Sequence, residues 1–180
     1  MRARKTLVAA AACAFALVPA TSAMAGTGPA PAPSPQRAAG GEAATAPSAA
    51  GNPASARAQD AGVCLDAYQI GTTSYITRAG VRIASVKQFY SPECEENYGY
   101  VWVWDSFREN SGDYGDYDVS AGVYSYSRDE YVGHVTWTNT NGQEFWSDSA
   151  ATLQECTAAV GGVRRAGDPL PNQAATDQRC

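Results

Sequence analysis

Histidine is almost absent: His134 is the only one in 180 residues. A Ser–His–Asp triad would have to use it, and no Gly-x-Ser-x-Gly elbow is present to present a nucleophile. A lone strand histidine more commonly packs or faces solvent. No Cys-x-x-Cys pair occurs, so the zinc-ribbon spacing is missing. There is no Walker loop and no dinucleotide fingerprint to cradle phosphate. Positive charge is short as well: thirteen Lys and Arg stand against eighteen Asp and Glu. That balance argues against nucleic acid and anionic membranes as partners. No apolar run reaches the ~20 residues of a membrane-spanning helix. The first sixty residues hold one aromatic, Phe15.

What is present divides the chain in three. Arg2, Arg4 and Lys5 precede an apolar run from Leu7 to Ala20, followed by Ala23-Met24-Ala25. This pattern predicts a secretory signal peptide over residues 1–25 and an extracellular protein. Cys13 lies inside the apolar run, not at its end where a lipidated cysteine belongs. Residues 26–60 contain no aromatic and no Val, Ile, Leu or Met. They have little to bury against the entropy of ordering, which predicts a disordered Pro/Ala/Ser/Gly linker. Residues 61–180 are the expected folded domain, of ordinary single-domain size. Without its three leader cations the exported chain is still more acidic.

Four cysteines lie in the domain: Cys64, Cys94, Cys156 and Cys180. An even number in an exported domain reads as two disulfides. Three pairings are possible; Cys64–Cys94 and Cys156–Cys180, the two local loops, are expected. Each bond would add roughly 2–4 kcal/mol. The second would tie down the tail from Gly161 to Cys180, which otherwise has the composition of a frayed end.

Alternating and β-branched runs separated by turn residues predict strands at Cys64–Ile70, Thr72–Thr77, Val81–Ser91, Tyr98–Phe107, Val119–Ser127, Tyr131–Thr138 and Gln143–Ser147. Ala150–Val160 suits a helix and a strand equally. Pro92 ends the third run, and Asn139–Gly142 carries a hairpin signal. The fold class is therefore all-β: a small antiparallel sandwich or barrel of about seven strands.

Seventeen of the eighteen aromatics lie in this domain. In the stretch Asn97–Phe107, Tyr98, Tyr100, Trp102 and Trp104 alternate with Gly99, Val101 and Val103, so both faces of the strand are apolar. In a two-layer domain one face should be wet. With the valines inside, Tyr98, Tyr100, Trp102 and Trp104 would form an exposed strip able to stack on sugar rings; with the aromatics inside, they are core. Tyr124 and Tyr126, and Tyr131, Val135 and Trp137, repeat the ambiguity, with His134 and Thr136 expected on the face opposite Tyr131. Glu93, Glu95, Glu96, Asp105 and Glu109 supply carboxylates for a glycosidase pair. Asp113, Asp116 and Asp118 offer oxygen ligands for calcium without the EF-hand spacing; a solvated turn is the plainer reading.

Phe89–Val103, FYSPECEENYGYVWV, resembles a motif of the YjfA-like family of exported bacterial domains of unknown function. Tyr90, Ser91, Pro92, Cys94 and Tyr98 match it, and Cys64 matches an upstream cysteine. The resemblance covers Cys64–Phe107. This chain lacks the family's further cysteine pair, has Glu95 and Glu96 in place of a basic residue, and has Tyr98 in place of Trp. The resemblance implies a small secreted β domain, supports the Cys64–Cys94 pairing, and carries no catalytic residues across.

The expected function is a secreted, non-enzymatic binding module without cofactor or metal, taking polysaccharide or cell envelope through Tyr98, Tyr100, Trp102 and Trp104. The alternatives are a secreted factor that binds another protein through the acidic loop 109–118, such as a hydrolase inhibitor, and a secreted hydrolase.

Overall fold

The computed structural model describes residues 51–109 and 117–180. The signal peptide, Cys13, linker residues 26–50 and the loop carrying Asp113 and Asp116 lie outside them.

Eight strands form two antiparallel four-stranded sheets among the described residues. Their ranges are β1 Tyr68–Arg78, β2 Val81–Ser91, β3 Glu96–Val103, β4 Tyr117–Ser125, β5 Glu130–Thr140, β6 Glu144–Trp146, β7 Thr157–Arg165 and β8 Asn172–Ala175. The first sheet runs β1-β2-β3-β6 and the second β5-β4-β7-β8. The all-β sandwich expected from the turn spacing is the fold observed. Both local disulfides are present, Cys64–Cys94 and Cys156–Cys180.

Between the sheets Val86, Val101, Val103, Val119, Ala121, Ala159 and Val163 form the main core. The valine face of β3 therefore points inward. Gly99 lies so close to the Gly122 backbone that a Cβ would collide with it. The two sheets touch there through bare main chain.

The opposite face of β3 is not wet. Residues 51–67 cross it and build a third layer. Here Ala58, Val63 and Ala67 pack on Phe89, Tyr98, Tyr100 and Trp146. A helix of one turn, α1 (Ala56–Asp60), sits in this layer. Five residues do not hold a helix by propensity; its contacts do. Ser55 Oγ accepts the Ala58 amide at 3.0 Å and donates to Glu144 Oε1 at 2.7 Å. Gly51 is pressed so closely to Phe89 and Trp146 that a Cβ would stand 2.8–2.9 Å from both rings. Residues 51–60, assigned to the linker by composition, thus pack with the domain.

Three further differences from the expected elements have local causes. The first two expected strands are one, β1, because Gly71 (φ +67°) absorbs a register shift rather than ending the strand. β3 stops at Val103 instead of Phe107. Trp104 N–H bonds Ile83 O at 2.9 Å, and Asp105–Glu109 then turn as a second short helix, α2, that drops Phe107 into the core. Residues 150–156 are neither helix nor strand, apart from a bridge at Ala150, and β7 begins at Thr157. The tail is held by β8, by the Cys156–Cys180 bond and by a bridge between Thr157 and Arg179.

Candidate functional site

The four rings expected to bind do not form a strip. Tyr98 and Tyr100 are 0% and 1% exposed beneath the 51–67 layer. The Tyr98 hydroxyl donates to Glu96 Oε2 at 2.9 Å, and burial pushes its pKa up to about 12. Tyr100 packs against Trp146 with centroids 4.6 Å apart. Trp102 is half-buried against the same cluster. Trp104, beyond the end of β3, is half-buried elsewhere. Its Nε1 donates to Ser85 Oγ at 3.0 Å and its ring meets Tyr75 edge-on. For Tyr98, Tyr100 and Trp102 the physical reason is the third layer, which covers the face that a two-layer sandwich would leave wet; Trp104 is set apart because β3 ends before it.

The open aromatic surface is on the outer face of the second sheet. Tyr126 is 46% and Tyr131 52% exposed, with Tyr124 half-buried between them and His134 exposed alongside. Tyr124 lies 5.1 Å from Tyr126 and 5.4 Å from Tyr131, and Tyr131 5.6 Å from His134. Strict alternation predicts Tyr131 and His134 on opposite faces. They share one because β5 has an extra residue. Val123 pairs with Val132 but Ala121 with Val135, and Gly133 takes φ +62° between them. That bulge reverses the parity of the strand and brings His134 beside Tyr131.

Beside the cluster, a shallow groove of about 320 Å³ runs over the sheet; His134 lines it and the three tyrosines do not. Register places Thr136, Ser120, Gly162 and Gln173 in one row across its four strands. Gly122 and Gly162 leave the middle low: a Cβ at Gly162 would stand 2.7 Å from Ser120 Oγ. The far end is charged. Asp118 accepts from the Asn139 amide at 3.0 Å and from the Arg164 guanidinium, and these hold its carboxyl below the usual range. At the aromatic end the Tyr124 hydroxyl donates to Asp129, which raises the tyrosine pKa. The surface thus offers ring faces at one end and hydroxyl, amide and imidazole groups along its floor.

The carboxylates proposed for hydrolysis fall in two groups, with Glu96 opening β3 beside Glu93 and Glu95, and no pair can be drawn from both. Glu93 and Glu95 lie in the turn before β3, and Asp105 and Glu109 on α2 after it. The eight residues of β3 put roughly 26 Å between those ends. A glycosidase pair needs roughly 5–9.5 Å. Asp105 is bonded by Arg108 and Gln143. Asp66 lies beside Cys64 and Cys94, but those sulfurs are bonded to each other and its carboxylate accepts from Ser91 and the Glu93 amide. That is a structural turn, not a thiolate site.

No family model, no curated protein and no solved structure matches this chain.

Proposed function

We propose that this is a secreted, non-enzymatic carbohydrate-binding domain that holds a polysaccharide or cell-envelope glycan on the outer face of its second sheet. The observation that carries the reading is the Tyr124–Tyr126–Tyr131–His134 cluster, with Tyr126 and Tyr131 exposed, which adjoins a groove of hydroxyl and amide groups through His134. Exposed rings stack on the C–H face of a sugar while polar neighbours bond its hydroxyls. Such stacking requires no burial of the rings in the fold, so the cluster is free to be spent on a ligand. Export is part of the same reading, supported by the leader pattern in residues 1–25 and by the two disulfides. No helix among the described residues is long and apolar enough to cross a membrane. Kinship with the YjfA-like domains rests on the Phe89–Val103 motif, whose Cys94 bonds Cys64.

Affinity electrophoresis of the secreted chain in gels containing soluble glycans tests the reading. Tyr126→Ala with Tyr131→Ala should abolish retardation that the wild type shows, with the melting temperature unchanged within about 2 °C. Trp102→Ala should leave retardation intact. Retardation that survives loss of both tyrosines, or a wild type that no glycan in a broad panel retards, removes this function.

A further inference from the structure

A second cavity lies at the end of the sandwich where β1, β2 and β3 meet the start of β7; Cys156 in its lining accepts the Tyr126 main-chain amide at 3.0 Å. It has a volume of about 330 Å³, the size class of a small-ligand pocket. Tyr68 and Tyr90 form an aromatic wall, their rings edge to face at 6.2 Å. The floor is a buried polar chain. Gln88 Nε2 donates to Thr157 Oγ1 at 2.7 Å and to Asn97 Oδ1 at 3.2 Å; Asn97 Nδ2 donates to Thr152 Oγ1 at 3.0 Å. Asn97, Thr152 and Thr157 border the cavity directly.

Arg179 stands at its edge. The arginine is not placed by its own side chain. Its main chain exchanges two hydrogen bonds with Thr157, at 2.6 and 2.7 Å, and the Cys156–Cys180 bond fastens the residues beside that pair. The guanidinium rests on Gly71, where a Cβ would stand 2.7 Å from Nε. Nε is buried and has no partner among the described residues. The Oε1 of Gln88, behind the floor, is likewise buried without a partner. Unmade hydrogen bonds of this sort cost about 1–3 kcal/mol each and are uncommon in native folds; both atoms are sealed from solvent, so Arg179 meets the cavity with its other atoms. The acid at the rim is already engaged: Glu155 is held by Arg128, Ser125 and Ser127.

We infer that this cavity binds one sugar acid, a pyranose-sized ligand whose carboxylate is taken by Arg179. The guanidinium fork matches a planar carboxylate, the tyrosines supply a wall for the ring, and Asn97, Thr152 and Thr157 make the floor polar, with their side chains already bonded to one another through Gln88. The site does not depend on the tyrosine face and can stand or fall separately.

Isothermal titration of the disulfide-bonded chain with D-galacturonate, D-galactose and inorganic phosphate tests this. Galacturonate should bind at least tenfold more tightly than either of the others. Arg179→Gln should reduce it to the galactose level with the melting temperature kept, and Arg179→Lys should lose most of the preference because the fork is gone. Tyr68→Ala should weaken both sugars. Tyr126→Ala with Tyr131→Ala should change nothing here. Equal binding of galacturonate and galactose, no binding of galacturonate, phosphate bound as tightly as galacturonate, or a preference that survives Arg179→Gln each overturns the assignment.

Discussion

Lys87 shows how much a single residue reveals about its layer. It lies on the outer face of β2, 1% exposed, with its amine 6.0 Å from the Tyr100 ring. Burial disfavours its charged form and lowers its pKa from 10.5 to about 8. The unfolded chain then binds more protons than the folded one between those values, so stability rises with pH across that window. Below pH 8 the penalty is fully present. Urea unfolding should show the wild type gaining about 2 kcal/mol more than Lys87→Met between pH 8 and pH 10. Equal gains would mean that water reaches the amine. Above pH 10 the trend reverses in both proteins, because Tyr98 and Tyr100 must give up protons from sites that raise their pKa values. Nothing in the sequence marks Lys87 as buried. An isolated lysine in a strand reads as solvent-facing, and the segment that covers it is distant in sequence.

At the scale of elements, legibility followed side-chain chemistry. Val81–Ser91 was readable to the residue, because Gly80 and Pro92 bracket a β-branched and aromatic run. Residues 51–60 were not, since their only buried side chain is a methyl, that of Ala58. Small residues fill close contacts without leaving an apolar signature. The candidate site was not legible: the sequence placed binding on Tyr98, Tyr100, Trp102 and Trp104 and left Tyr124, Tyr126 and Tyr131 as an ambiguity, and the Gly133 bulge, which sets His134 beside them, breaks the period of two on which the reading depends. Deleting residues 1–62 should therefore lower unfolding free energy by roughly 3 kcal/mol or more and create dye-binding apolar surface, as Phe89, Tyr98, Tyr100 and Trp146 lose their cover. An unchanged urea midpoint would make the layer dispensable.

Across the whole molecule the two disulfides serve different ends. Cys64–Cys94 spans 30 residues and pins the covering layer beside the turn before β3. Cys156–Cys180 spans 24 and fastens the tail to the start of β7. Each should contribute roughly 2–4 kcal/mol by restricting the unfolded chain. Paired serine replacements, measured by thermal unfolding, should each lower the melting temperature. Only loss of Cys156–Cys180 should also weaken galacturonate binding; equal effects of both pairs on binding would detach Arg179 from its anchor. The cysteine pairing was within reach of the sequence because both loops are short. The three-layer arrangement was not, because it depends on which face the early residues cross.

The extra residue in β5 has one more effect. This strand is an outer edge of its sheet and eleven residues long, enough to template the joining of neighbouring copies into a continuous ribbon. At Gly133 its ladder of free main-chain groups is broken, and the Asp148 backbone lies against the gap. An incoming strand meets two short, misaligned pieces instead of one long edge, so the same kink that assembles the aromatic cluster also interrupts a template for edge-to-edge pairing.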